Sequence, residues 1–133
     1  MGTFHLQIVT PDGAFFDGPA ERVKVRTLSG DVAILARHIP YVTALGTGEA
    51  AVTVDGTVRK AAASGGMLSV TEDKVSVVAT TFEWAEDIDV QRAQRAREKA
   101  EAMIQNAKTS QELEYAKARL LRALTRLKAA GKQ

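Results

Sequence analysis

Cysteine is absent from this chain of 133 residues, which excludes disulfide bonds, thiolate nucleophiles and cysteine-ligated metals. The two histidines, His5 and His38, have no paired spacing, so we expect no transition-metal site. No apolar run approaches the roughly 20 residues that span a bilayer, and the first fifteen residues carry no basic segment. We therefore expect neither a signal peptide nor direct insertion into a membrane.

The motifs of common nucleotide-hydrolysing and hydrolytic enzymes are also missing. Neither Gly-x-x-x-x-Gly-Lys-Ser/Thr nor Gly-x-Gly-x-x-Gly occurs. Ser64-Gly65-Gly66 lacks a strand–turn–helix context and a neighbouring base, so we interpret it as a turn. We expect no catalytic residues.

Residues 3 to about 84 show the period of two that is typical of half-buried strands. Apolar and polar residues alternate around Leu6 and Ile8, and again around Val75 and Val77. Turn sequences separate these segments, and Asp55-Gly56 is the clearest two-residue hairpin. Because helical crossovers have no room here, the pattern predicts an antiparallel β-sandwich or flattened barrel of about ten strands.

The rest of the chain predicts two helices, since no Gly or Pro occurs between Gly66 and Gly131. Asp87 or Asp89 can cap a first helix that ends near Ala107. Thr109 and Glu112 form a capping box for a second helix that ends near Ala129. The fold class is α+β, with a β-sandwich domain at residues 1–84 and an antiparallel helical hairpin at 85–133.

Each predicted helix has one apolar face. In the first helix this face is unusually small, and in the second it is rich in leucine, so leucines are expected to pack on an alanine groove. The two faces consist of Ala93, Ala96, Ala100, Met103, Ile104 and Ala107, and of Leu113, Ala116, Leu120, Leu124 and Leu127.

Positive charge concentrates at the end of the chain. Residues 1–84 contain 7 Lys and Arg against 9 Asp and Glu, whereas residues 110–133 contain 6 against 2. Cationic stripes follow both helices, at Arg92, Arg95 and Lys99 and at Arg119, Arg122 and Arg126. Either these stripes are solvated faces, or they bind an anion.

Over essentially its whole length the sequence resembles the epsilon subunit of F-type ATP synthases. The resemblance is carried by "HLQIVTPDGAFFDGPAERVKVRTLSGDVAIL", "HIPYVTAL", "SGGMLSVTEDKVSVVA" and "AEDIDVQRAQRA". It implies a non-catalytic central-stalk subunit at the cytoplasmic face of the bacterial membrane, peripheral, in contact with the gamma subunit and the c-ring. Rotor contacts are expected at Asp31 and His38. Ala36-Arg37 stands where many relatives have Pro-Gly.

The resemblance also implies ATP as a regulatory ligand, with or without magnesium. Ile-Asp-x-x-Arg-Ala of the ATP-binding members is complete here as Ile88, Asp89, Arg92 and Ala93. Further ATP-contacting positions match at Glu83, Arg122 and Arg126, whereas Lys99 stands where tight-binding relatives carry arginine.

The family further implies that the second helix inhibits ATP hydrolysis by binding the alpha and beta subunits. The expected contacts are Lys117, Arg119, Arg122, Arg126 and Lys128. The rival interpretation is a sandwich with a basic tail that binds nucleic acid or an anionic membrane surface. Because no aromatic residues alternate with the arginines and the sandwich is slightly acidic, we expect no nucleic-acid partner.

Overall fold

The computed structural model describes residues 2–132. Residue 1 of the predicted sandwich domain and residue 133 of the predicted hairpin domain therefore lie outside the described residues. Eight strands are followed by a short 3-10 turn and two helices. Their bounds are β1 Phe4–Thr10, β2 Gly13–Ala20, β3 Arg22–Thr27, β4 Gly30–Leu35, β5 Tyr41–Ala44, β6 Thr47–Val54, β7 Thr57–Val70, β8 Val75–Trp84, the 3-10 turn Ala85–Asp87, α1 Val90–Asn106 and α2 Ser110–Ala129.

The strands form one sheet in the order β2-β1-β8-β7-β6-β3-β4, and β5 pairs with the far end of β7. The inward-facing residues of these strands share a single apolar cluster, which makes the sheet sandwich-like. Leu6, Ile8, Val23, Val75 and Val77 are all buried in it, as their alternation predicts. The α+β fold class is therefore confirmed.

The structure has eight strands rather than about ten, in part because β7 is a single continuous strand of 14 residues. Its first half pairs with β6 and its second half with β5. Gly65 and Gly66, at φ 71° and 110°, lie between the halves. A Cβ at Gly66 would lie 1.8 Å from the Val78 carbonyl oxygen, so only glycine fits this close approach.

One strand pairing is not antiparallel as predicted. β1 runs parallel to β8, with Leu6 beside Val75 and Ile8 beside Val77. These strands lie at opposite ends of the sandwich sequence, so no short hairpin fixes their relative direction. By contrast, Asp55-Gly56 closes the predicted β6–β7 hairpin, with both residues at positive φ.

Capping residues set the helix bounds close to those predicted. Asp89, rather than Asp87, caps α1 and accepts a hydrogen bond from the Arg92 backbone N–H at 3.0 Å. Thr109 caps α2 by accepting from the Glu112 N–H, also at 3.0 Å, and the Glu112 carboxylate reaches back to the Lys108 N–H. None of the helices within residues 2–132 is both long and apolar enough to cross a bilayer.

The two helices pack as an antiparallel hairpin, and α2 lies on β6 and β7. Ala93, Ala100 and Ala116 are buried where the helices face each other. The predicted leucine face is partly wrong, because Leu124 is 42% exposed while Ala123 is buried. α2 packs on α1 and on the sheet at once, so its buried surface is broader than a single stripe and is centred on alanines.

Arg37 follows β4 with φ at 64°, the left-handed region that favours glycine. This conformation costs a residue with a Cβ roughly 1 kcal/mol or more. We predict that Arg37→Gly raises the free energy of unfolding by about 0.5–1 kcal/mol, measured by chemical denaturation. Asp55→Gly is the control, since aspartate tolerates the left-handed region at φ 51° better than arginine does. An unchanged or lower stability of Arg37→Gly would contradict the assigned strain.

Candidate functional site

A groove of about 470 Å³ lies where the hairpin meets the end of β8. This volume falls within the range of small-molecule sites. Its lining side chains come from β8, α1 and α2, and are Glu83, Asp89, Arg92, Ala93, Ala96, Tyr115, Arg119, Arg122 and Arg126. Four guanidinium groups and two carboxylates therefore border the groove, which favours an anion over a cation.

Helical periodicity places the α2 members of the groove on one side of the helix. Tyr115, Arg119, Arg122 and Arg126 follow one another at spacings of four, three and four residues. Next to these arginines, α2 is held on the sandwich by a small cluster of buried residues, Ala62, Ile88 and Ala129. Arg119, Arg122 and Arg126 are only partly buried and line the groove, so solvent or a ligand reaches them.

An ion pair connects the hairpin to the sandwich at the groove. The Nε atom of Arg126 donates to Oε1 of Glu83 at 3.0 Å. Both side chains are about one-third exposed, so the pair contributes at most about 1 kcal/mol. Within residues 2–132 it is the one side-chain hydrogen bond between α2 and a strand.

Asp89 and Ile88 hold the first helix in place at the mouth of the groove. One carboxylate oxygen of Asp89 is committed to the helix cap through the Arg92 N–H. Ile88 is buried against Ala62 and Ala129 and does not line the groove. These two residues of the predicted motif therefore already have structural functions without a ligand.

A second contact, absent from the sequence prediction, fixes the junction between β8 and the 3-10 turn. The Arg59 guanidinium lies 3.9 Å from the centre of the Trp84 ring and also binds the Glu86 carboxylate. This hydrogen bond lowers the pKa of Glu86, so the contact is present at neutral pH and is lost in acid. Trp84 is in turn buried among Phe15, Phe16 and Phe82.

The structure brings most of the predicted ATP contacts together, and it separates others. Glu83, Asp89, Arg92, Ala93, Arg122 and Arg126 all line the groove. Lys99 is exposed on α1 outside it. Among the predicted inhibitory contacts, Lys117 is exposed on α2, Lys128 lies beside a second cleft with Lys24 and Arg26, and Arg119 lines the groove.

The two predicted rotor contacts lie at opposite ends of β4. Asp31 is the second residue of the strand and pairs with Arg26 at 3.0 Å and with Lys24 at 3.7 Å. His38 follows the strand, with its ring edge against Phe4. It borders an apolar surface that includes the exposed side chains of Leu35 and Ile39. A single compact patch therefore does not contain both residues.

Tyr115 was missed by the sequence prediction, although a signal for it exists. The predicted stripe on the second helix began at Arg119, and one further turn toward the amino terminus leads to Tyr115. Residues 2–132 contain no group of three or more His, Asp or Glu side chains arranged to hold a metal ion.

The architecture defines a class of protein in which a helical hairpin follows a β-sandwich, with an arginine-rich groove between the two. Two matches to family models then identify the particular family. Residues 3–85 match the β-sandwich domain of the ATP synthase delta/epsilon chain, and residues 86–131 match its long α-helix domain. The chain belongs to the ATP synthase delta/epsilon chain family, which confirms the resemblance found in the sequence.

Curated relatives span the same length. The chain is 41% identical over 131 residues to the ATP synthase epsilon chain of Caldanaerobacter subterraneus, covering 98% of this chain and 95% of the relative. It is 41% identical over 133 residues to that of Halalkalibacterium halodurans, covering 99% and 100%. Because these relatives are structural or regulatory subunits, the prediction that the chain is not itself an enzyme is confirmed.

Solved structures share the fold. A chain of the Euglena gracilis mitochondrial ATP synthase, in an OSCP/F1/c-ring structure, aligns with a TM-score of 0.85 at 23% identity, covering 98% of this chain and 82% of that one. A chain of the Tetrahymena thermophila mitochondrial ATP synthase central stalk and c-ring aligns with a TM-score of 0.66 at 19% identity, covering 97% of both.

The carboxylate of Asp89 is expected to stabilise the hairpin through its cap bond. We predict that Asp89→Ala lowers the free energy of unfolding by about 0.5–2 kcal/mol, whereas Asp89→Ser, which also caps helices, retains most of it. Thermal unfolding followed by circular dichroism measures both variants. Equal losses in the alanine and serine variants would show that the cap bond is not what Asp89 contributes.

Proposed function

We propose that this chain is the epsilon-type subunit of the central stalk of a bacterial F-type ATP synthase and that ATP binds in the groove as a regulatory ligand. Its proposed partners are the gamma subunit and the c-ring, with the alpha and beta subunits as partners of the hairpin. The site of action is the cytoplasmic face of the cell membrane, where the chain is peripheral. The epsilon chains that resemble it over their full length support this assignment.

One observation carries the ATP site: the groove has walls from three elements that meet only while the hairpin lies on the sandwich. Glu83 belongs to β8, Arg92 to α1, and Arg122 and Arg126 to α2. A ligand that contacts all three binds the compact form and not a form with the hairpin displaced. Such selective binding stabilises the compact form by mass action.

The charges in the groove suit a triphosphate. Arginine forks bind phosphate oxygens in pairs, and each charge-assisted hydrogen bond contributes roughly 1.5–3 kcal/mol. Arg92, Arg119 and Arg122 have no carboxylate partner within residues 2–132. Like charges on neighbouring helical turns repel one another, so a bound polyanion relieves a repulsion as well as forming new bonds.

The hairpin contact is weak enough for a ligand to matter. Its buried cluster consists of Ala62, Ile88 and Ala129, and two of these three side chains are single methyl groups. Each buried methylene-sized group contributes about 0.8 kcal/mol. A ligand at a hundred times its dissociation constant adds about 2.7 kcal/mol to the state that binds it. Bound ATP would therefore supply free energy on the same scale as the burial of this cluster.

Inhibition of ATP hydrolysis is proposed as the function of the displaced hairpin. Lys117 and Lys128 are exposed on α2, and Leu121 and Leu124 beside them are 50% and 42% exposed. A helix with free cations and apolar side chains suits an acidic surface with apolar crevices, which the alpha and beta subunits are proposed to supply.

ATP binding is tested by isothermal titration of the isolated chain, with and without magnesium. We predict that Arg92→Ala and Arg122→Ala each weaken ATP binding by at least tenfold, because each removes charge-assisted hydrogen bonds to phosphate. No hydrolysis should accompany binding.

Arg95→Ala is the matched control, since Arg95 is exposed on the same helix outside the groove. It removes the same charge without touching the lining. Equal weakening by Arg95→Ala and Arg92→Ala would indicate a general charge effect rather than a site.

Inhibition is tested in the assembled enzyme. We predict that Lys117→Ala combined with Lys128→Ala raises the rate of ATP hydrolysis and leaves ATP synthesis nearly unchanged. Arg119 is omitted from this variant, because it lines the groove and its loss affects both forms. Added salt should raise hydrolysis similarly, since it screens exposed pairs over about 10 Å at 0.1 M ionic strength. Hydrolysis that stays as low as in the unaltered complex would count against electrostatic inhibition by α2.

A further inference from the structure

A layer of hydroxyl groups lies where α2 meets the sheet. Thr47 of β6, Ser64 of β7 and Thr125 of α2 border one cavity of about 10 Å³, which is about the space that a single water molecule needs. Thr125 is only 7% exposed, and within residues 2–132 it is the one buried polar residue of the two helices. None of these three side chains lines the groove, so the proposed ATP site does not use them.

Each of these hydroxyl groups has its hydrogen-bond partner on its own side of the contact. The Thr125 hydroxyl donates to the Leu121 carbonyl oxygen at 2.7 Å, within α2. The hydroxyl oxygens of Thr47 and Ser64 lie 2.8 Å apart, on residues that are paired between β6 and β7. Neither hydrogen bond crosses from the helix to the sheet.

The remaining hydrogen bonds at the contact follow the same rule. Around the contact, β7 is paired with β6 on one side and with β8 on the other, so its backbone is bonded within the sheet. Within residues 2–132, the bond from Arg126 to Glu83 is the one hydrogen bond that joins α2 to a strand. Both of its side chains are about one-third exposed. Lifting α2 from the sheet therefore breaks a single, partly exposed hydrogen bond.

The hydroxyl bonds do not favour the docked position of α2. A hydrogen bond across an interface stabilises the docked state, because opening exchanges it for bonds to water. The bond from Thr125 to Leu121 is present whether α2 is docked or lifted, so it contributes nothing to docking. Burial instead removes the Thr125 hydroxyl from water, which favours the lifted position.

We propose that Thr47, Ser64 and Thr125 form a release layer, which keeps the contact of α2 with the sheet weaker than an apolar contact of the same shape. The hairpin can then lift while the sandwich stays folded. This inference concerns the hairpin movement on which the proposed regulation depends, and it involves no ligand. Replacing a hydroxyl of the layer by a methyl group should hold the hairpin down more tightly.

A single introduced cysteine under the helix measures lifting, because the chain has no other cysteine. Ala62→Cys places it on β7, where Ala62 is 6% exposed and packs with Ile88 and Ala129. At a low concentration of an alkylating reagent, the rate of modification follows the population with α2 lifted. Ala79→Cys, in the main apolar cluster of the sandwich, reports unfolding of the sandwich in the same way.

In the full chain, Ala62→Cys should be alkylated faster than Ala79→Cys, as measured by mass spectrometry. Addition of Thr125→Val should slow the alkylation of Ala62→Cys roughly 5- to 30-fold, because one hydroxyl no longer loses its hydration on docking. Thr47→Val combined with Ser64→Ala should slow it from the sheet side. Thr125→Ser keeps the hydroxyl and should not slow it.

Thr57→Val is the matched control for the exchange of a hydroxyl for a methyl group. Thr57 is exposed on β7 and borders neither the cavity nor the buried cluster under α2. This change should alter neither alkylation rate.

Two results would overturn the release layer. Equal rates for Ala62→Cys and Ala79→Cys would show that the hairpin lifts only when the sandwich unfolds. An Ala62→Cys rate that Thr125→Val leaves unchanged or raises, relative to the Ala79→Cys rate, would show that the hydroxyl does not weaken docking. No ATP is present in these experiments, so failure of the ATP site would leave their outcome unaffected.

Discussion

The contact of α2 with β6 and β7 is the interaction on which the geometry of the groove depends. Its side chains are mostly small, with Ala62 on the sheet and Ala129 on the helix. Small side chains let the helix approach the sheet closely, but they bury little apolar area. The contact is therefore specific in shape and contributes only modest stability. The groove is lined by β8, α1 and α2, so its geometry is only as stable as this contact.

Arg122 and Arg126 take part in both of the proposed interactions, with ATP in the groove and with an acidic partner protein. In the compact form Arg126 is paired with Glu83 and both arginines face the groove. In a displaced hairpin the same guanidinium groups would be available to an acidic partner protein. If ATP and an acidic partner protein both bind these arginines, as proposed, they compete for one set of charges and no additional switch is needed.

The sequence predicts local structure in this chain far better than it predicts long-range contacts. The cap residues Asp89 and Thr109 mark helix starts to within a residue, because capping is a bond between near neighbours in sequence. The parallel pairing of β1 with β8 has no such local signature. The exposure of Leu124 depends on how α2 is shared between α1 and the sheet, which periodicity alone does not decide. The groove was predictable where a motif lists its residues, and Tyr115 was missed because it lies outside that motif.

The clamp of Arg59 on Trp84 and Glu86 has a mechanical consequence. It fixes the chain through the end of β8 and the first residues of the 3-10 turn. A hairpin that left the sandwich with this contact intact would rotate about the backbone between Asp87 and Val90. Ile88 and Asp89, both extended, form that short segment. In such a movement the two helices would act as a lever on a two-residue pivot, and a small change in the backbone angles of those residues would produce a large displacement at the hairpin tip.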